Sequence, residues 1–244
     1  MGFFPAVFRL PEMMRIVSGV LALTFLPDVA RASCADLALV LAIDASGSIG
    51  PEEYALQQAG YAAALQSGRV QRALALAGRV DVAVVVWGDV EIAPQILDWH
   101  RMQGAADAAV LAARIAGMVR TVTGDTGIGG GLSAALDLLQ RPGQCAGRAL
   151  VNISGDGKET VAARPRRHLP LATARARAAA MGVTVNALAI TTDDPELAGW
   201  YRDKVIVGPG AFVMQVVGFD TFAEAIIEKL AREIAPPALA ALDR

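Results

Sequence analysis

The chain has 244 residues, 54% of them apolar and 19% charged. That is enough to bury one substantial core, and too apolar to be disordered over most of its length. The net charge of −2, from 22 Lys+Arg against 24 Asp+Glu, gives no electrostatic footprint for nucleic acid, and with two Cys and two His the chain can build neither a disulfide-dense scaffold, a Cys-based zinc finger nor a multi-His metal centre.

In chain order, residues 1–32 read first, as an export signal. Arg9 and Arg15 lead into the apolar stretch Ile16–Leu26, too short to span a bilayer, and Ala30-Arg31-Ala32 suits cleavage after Ala32. Met13 and Met14 are alternative starts. Arg31 stands where acylation of Cys34 would want an aliphatic residue. The expectation is a periplasmic or secreted bacterial protein with one domain over 33–235, a short tail over 236–244 and no transmembrane anchor.

The mature chain then alternates strand and helix. Leu37–Ile43 is a continuous apolar run ending at Asp44 and reads as a buried strand. Pro51-Glu52-Glu53 opens a helix that reaches about Gln66. Val80–Trp87 is a second buried strand, and Glu91–Trp99 a third, placed at an edge by Pro94. Helices follow over Ala105–Val119 and Ile128–Gln140, the latter despite Gly129-Gly130-Gly131. Ala149–Ile153 is a strand, Leu171–Met181 a helix, Val183–Ile190 a strand, Pro195–Lys204 a short helix, Phe212–Val217 the last strand and Thr221–Ile234 the last helix. This order predicts an α/β fold with a doubly wound, mainly parallel Rossmann-like sheet and helices on both faces.

Three loops concentrate oxygen donors. Asp44-Ala45-Ser46-Gly47-Ser48 follows the first strand, Gly124-Asp125-Thr126-Gly127 precedes a helix, and Ser154-Gly155-Asp156-Gly157 follows the strand ending at Ile153. Ligands of open parallel sheets bind beyond the carboxyl ends of strands. Asp44, Ser46, Ser48, Thr126 and Asp156 are hard donors suited to a divalent cation, Mg²⁺ first, with Mn²⁺ or Ca²⁺ as alternatives. Asp125 is placed to support them from behind. Two carboxylates only neutralise such an ion, so it keeps room for an outside ligand, and the natural complement is an acidic group of a protein partner. The same residue types also suit helix caps and turns.

No nucleophile and base accompany the cluster. Gly155–Thr160 lacks phosphate-loop spacing, Gly127-x-Gly129 lacks the further glycine of a dinucleotide fingerprint, and no Gly-x-Ser-x-Gly elbow exists. The expectation is a protein-binding module, not an enzyme. One alternative is a metal-dependent hydrolase or phosphotransfer enzyme. Against it, Ser46 stands where a haloacid-dehalogenase-type phosphatase needs its second Asp. The other alternative is a structural assembly subunit with a silent metal site. Arg164, Arg166, Arg167 and His168 read as a solvated loop, and Trp87 and Trp99 as core.

Asp44-x-Ser46-x-Ser48, followed by Thr126 and Asp156, resembles the metal-ion-dependent adhesion site of von Willebrand factor type A domains, over about residues 36–235. The resemblance implies the metal at the top of the sheet. Ser46, Ser48 and Thr126 would touch it, Asp44 and Asp156 would bind directly or through water, and a partner's acidic group would complete the shell. Ala42–Ser48, Val151–Gly157 and Gly208–Phe212 more narrowly resemble an exported bacterial subfamily of unknown function. The resemblance also makes the strands ending at Asp44 and before Asp156 neighbours. Cys34 and Cys145 then lie at one depth, and in an oxidising compartment a Cys34–Cys145 disulfide is expected.

Overall fold

The computed structural model describes residues 1–2, 34–160 and 169–236. The chain divides into two units, Met1–Ala32 and Ser33–Arg244, and all elements named below belong to the second. The expected export signal, the basic run ending at His168 and the tail beyond Pro236 fall outside the described residues.

Strands β1 (Ala35–Asp44), β2 (Val80–Trp87), β3 (Gln95–Met102), β4 (Ala146–Gly155), β5 (Thr184–Ile190) and β6 (Val213–Val216) form one sheet in the order β3-β2-β1-β4-β5-β6. Every neighbouring pair is parallel except β2–β3. The helices are α1 (Pro51–Gln66), α2 (Gly68–Ala77), α3 (Ala105–Ala116), α4 (Ile128–Leu139), α5 (Leu171–Ala180), α6 (Leu197–Lys204) and α7 (Phe222–Ile234).

Alternation along the central strands builds a core on each face of the sheet. Leu37, Leu39, Leu41 and Ile43 of β1 pack with α1, α2, α3 and α7. Val40 and Ala42 pack with α4, α5 and α6. The fold is therefore the doubly wound, mostly parallel sheet read from the strand–helix order. The chain winds outward from β1 through β2 and β3, and from β4 through β5 and β6. That reversal leaves a crevice between the carboxyl ends of β1 and β4, where open α/β sheets hold ligands.

Two elements differ from expectation. Helix α2 was not anticipated: Ser67 ends α1 in extended conformation and its side chain accepts the Val70 amide at 3.2 Å, capping a new helix. Val70, Ala73 and Leu74 then form its buried stripe. Strand β3 begins after Pro94, not at Glu91, because residues 88–92 turn around Asp89, which accepts from the Glu91 amide (2.8 Å) and the Ile92 amide (3.0 Å). It pairs antiparallel at the sheet edge, where Arg101 grips Asp81 with two bonds of 2.7 and 2.9 Å.

Cys34 and Cys145 are joined, with Cα atoms 4.9 Å apart. Ala35 and Ala146 are register partners in the β1–β4 ladder, so the bond ties the amino ends of the two strands whose carboxyl ends frame the crevice. Helix α7 is anchored by Glu233, which accepts from Asn152 (2.7 Å), Asn186 (3.0 Å) and Lys229 beneath the sheet. Among the described residues no helix is long and apolar enough to cross a membrane.

Candidate functional site

The structure brings all five oxygen-bearing residues together at the crevice. Asp44 ends β1, and its Oδ1 accepts the Ser46 amide at 2.7 Å. Ser46 Oγ lies 3.2 Å from Ser48 Oγ, and Ser48 Oγ donates to Asp156 Oδ1 at 2.8 Å. Thr126 Oγ1 donates to Ser46 Oγ at 3.4 Å. Asp44 and Ser46 are fully buried, Thr126 and Asp156 nearly so, and Ser48 faces solvent. Asp125 shares the Thr126 loop, and its carbonyl accepts the Gly127 amide.

The donor set fits a divalent cation. Asp44 Oδ2 is buried with no hydrogen-bond partner, and it is the one orphaned carboxylate oxygen among the described residues. A buried carboxylate in that state is costly unless something positive meets it. Burial, with Asp156 adding like charge, lifts the Asp44 pKa to about 7 despite the Ser46 bonds. Burial also raises Asp156, against the bond from Ser48 and with Glu53 and Asp193 nearby. Both shifts have burial as their first cause, so the crevice by itself disfavours the ionised form of either carboxylate. Gly155 leaves room for the carboxylate: a Cβ there would stand 2.8 Å from Asp44 Oδ2 and 2.6 Å from the Tyr201 hydroxyl.

Several supporting residues have no counterpart in the sequence reading. Arg120, in the loop before Thr126, donates to four carbonyls: Ala45 (2.8 Å), Ser46 (2.8 Å), Ile49 (2.8 Å) and Val122 (3.0 Å). Gln57 of α1 donates to the Asp44 carbonyl at 3.1 Å and is linked through Ser154 to Tyr61. Tyr201 donates to the Gly157 carbonyl at 3.1 Å. Thr160 exchanges two bonds with Thr126 (2.9 and 3.0 Å), tying the second and third loops together. Glu159 accepts the Gly129 amide (2.8 Å) and the Leu171 amide (3.3 Å), setting one carboxylate at the starts of α4 and α5. These residues sit in no motif, and only the folded loops reveal their partners. Trp87 belongs to the core, and Trp99 is half-buried and packs against it.

Several solved structures share this architecture. The pilus adhesin SpaC of Lactobacillus rhamnosus GG matches with a TM-score of 0.59 at 15% identity, over 82% of this chain and 30% of that one. Proximal thread matrix protein 1 of the mussel byssus matches with 0.57 at 18% identity, over 82% and 48%. The human COPII-coat protein Sec24c matches with 0.50 at 13% identity, over 82% and 32%. The chain thus spans less than half the length of each. At these identities the likeness is one of fold, and that fold is von Willebrand factor A-like. No curated protein matches the chain. A family profile covers residues 33–238, which contain every described strand and helix, and the chain belongs to that family, described as "Protein of unknown function (DUF1194)".

Proposed function

We propose that this domain is an exported protein-binding module. Asp44, Ser46, Ser48, Thr126 and Asp156 would hold a divalent cation, Mg²⁺ first, and the partner would contribute an exposed acidic group. The observation that carries this reading is the fully buried Asp44 carboxylate with an unpartnered oxygen, beside three hydroxyls that touch one another at the mouth of the crevice. When bound, the cation would supply a positive centre incompletely neutralised by the protein and open to an outside carboxylate. The chain's own residues do the rest. Asp44 and Asp156 provide the negative charge, the hydroxyls orient without adding more, and solvent-facing Ser48 marks the side from which a partner approaches. Export over residues 1–32 belongs to this reading and is supported by the Cys34–Cys145 bond, which persists in oxidising compartments.

Thermal unfolding of the purified protein tests it, in chelator and then with Mg²⁺, Mn²⁺ or Ca²⁺, beside Asp44→Ala. A ligand at 100 times its Kd stabilises by about 2.7 kcal/mol, roughly 5–10 °C for a chain this size. The shift is expected in wild type alone. Absence of any shift at millimolar cation overturns the metal reading, and partner capture that survives chelator points to the structural-subunit alternative instead.

A further inference from the structure

The loop that carries Ser46 and Ser48 has an unusual electrostatic layout. Three of its carbonyls, from Ala45, Ser46 and Ile49, converge on one point. Converging carbonyl dipoles repel, so this arrangement needs a cation with several donors at its focus. Arg120 supplies it. Its Nη2 serves Ala45 and Ser46, its Nη1 serves Ile49, and its Nε folds back to Val122 of its own loop. The guanidinium also lies over the Tyr54 ring, 5.5 Å from its centre.

The consequence follows from the planarity of the peptide bond. In a trans peptide the carbonyl of one residue and the amide of the next point in opposite directions. With the Ala45 carbonyl turned inward to Arg120, the Ser46 amide must point away from it, and it meets Asp44 Oδ1 at 2.7 Å. With the Ser46 carbonyl turned the same way, the Gly47 amide points outward and meets the Gly124 carbonyl at 2.7 Å. Both peptide planes flanking Ser46 are thereby fixed, and with them the direction of its Cα–Cβ bond. Ser46 Oγ is the hub of the cluster, within 3.2 Å of Ser48 Oγ and 3.4 Å of Thr126 Oγ1.

We propose that Arg120 is the positioning residue of this site: by gathering the carbonyls of Ala45, Ser46 and Ile49, it aims the Ser46–Ser48 loop in a ligand-ready conformation before any cation arrives. The role in cation binding rests on the function proposed above; the role in loop geometry stands without it. One side chain links the loop that carries Ser46 and Ser48 to the loop that carries Thr126. Only a planar fork with five donors can reach this many carbonyls, so Lys replaces it incompletely.

Two measurements on the purified protein test this, with Arg120→Met and Arg120→Lys beside wild type. The first is amide exchange by NMR in chelator. In Arg120→Met the Ser46 and Gly47 amides are expected to exchange about tenfold faster or more, as befits losing charge-assisted hydrogen bonds, while Val151 and Val185 in the sheet keep wild-type rates. The second is Mn²⁺ affinity, expected to weaken about tenfold or more in Arg120→Met, with partial recovery in Arg120→Lys. Wild-type exchange at Ser46 and Gly47 in Arg120→Met overturns the proposal. Should Arg120→Met fail to fold, Arg120→Lys decides by the same two readouts, with wild-type values in both refuting it. Should wild type itself bind no Mn²⁺, the cation reading falls, and the exchange rates alone judge Arg120.

Discussion

Asp44 shows how one residue can be right for a site and wrong for stability. It is wholly buried, and its pKa stands at about 7 against an unfolded value near 3.8. Between those values the folded protein binds more protons than the unfolded chain, so stability falls as pH rises. The contribution is fully present below about pH 3.8 and is lost by about pH 7. A pKa raised from 3.8 to about 7 corresponds to at most about 4 kcal/mol. In chelator, urea unfolding of wild type is therefore expected to show stability declining from pH 4 to pH 8, and Asp44→Asn to flatten that slope. Parallel slopes in the two proteins would show that Asp44 ionises freely when folded. Asp44 itself was legible from Asp-x-Ser-x-Ser after a buried strand. Its orphaned oxygen was not, because that depends on what Gly155 and Tyr201 leave beside it.

Helix α4 illustrates local propensity yielding to packing. Gly129-Gly130-Gly131 at its start costs helix stability by intrinsic preference, about 1 kcal/mol per glycine relative to Ala. Each lies against a neighbour: Gly129 against the Leu169–Leu171 backbone, Gly130 against Val90, and Gly131 against the Trp87 ring. A Cβ at Gly131 would run into that ring. Gly131→Ala is thus expected to destabilise by about 1–3 kcal/mol, as overpacking does, although propensity alone favours it. Denaturant titration checks this, and a stabilised variant would mean that α4 can move off β2. The same element view explains α2, which a hydrophobic pattern interrupted by Ser67-Gly68 conceals. Ser67 both stops one helix and caps the next, a double duty seen only once its side chain is placed.

For the whole molecule, the disulfide and the crevice lie at opposite ends of the same two strands. The bond closes a loop across a sequence separation of 111. In the chain-entropy account a loop of this length is worth about 4–5 kcal/mol. Replacing both Cys34 and Cys145 by Ala is expected to lower unfolding free energy by about 2–5 kcal/mol, while leaving Mn²⁺ affinity unchanged because the ligand loops are at the far end of β1 and β4. Denaturation with parallel metal titration checks both parts. Equal stability would show that the β1–β4 ladder alone holds the amino ends of the central strands together, and altered affinity would show that strain travels along the strands.

The sequence by itself determined the fold class, the order of most elements and the identity of the oxygen cluster. Each of these is a local matter: continuous apolar runs make buried strands, periodic ones make helices, and Asp, Ser and Thr at strand ends advertise a polar site. It also paired the cysteines, given the strand neighbours that the resemblance implies. Tertiary structure alone decided the antiparallel direction of the edge strand, the room made by Gly155, and Arg120 beneath the Ser46 loop. The last two depend on contacts far apart in sequence, 111 positions for Gly155 with Asp44 and 71 for Arg120 with Ile49. A side chain's local sequence specifies its chemistry, whereas the direction it faces and the partner it meets are set by where the sheet brings distant loops together.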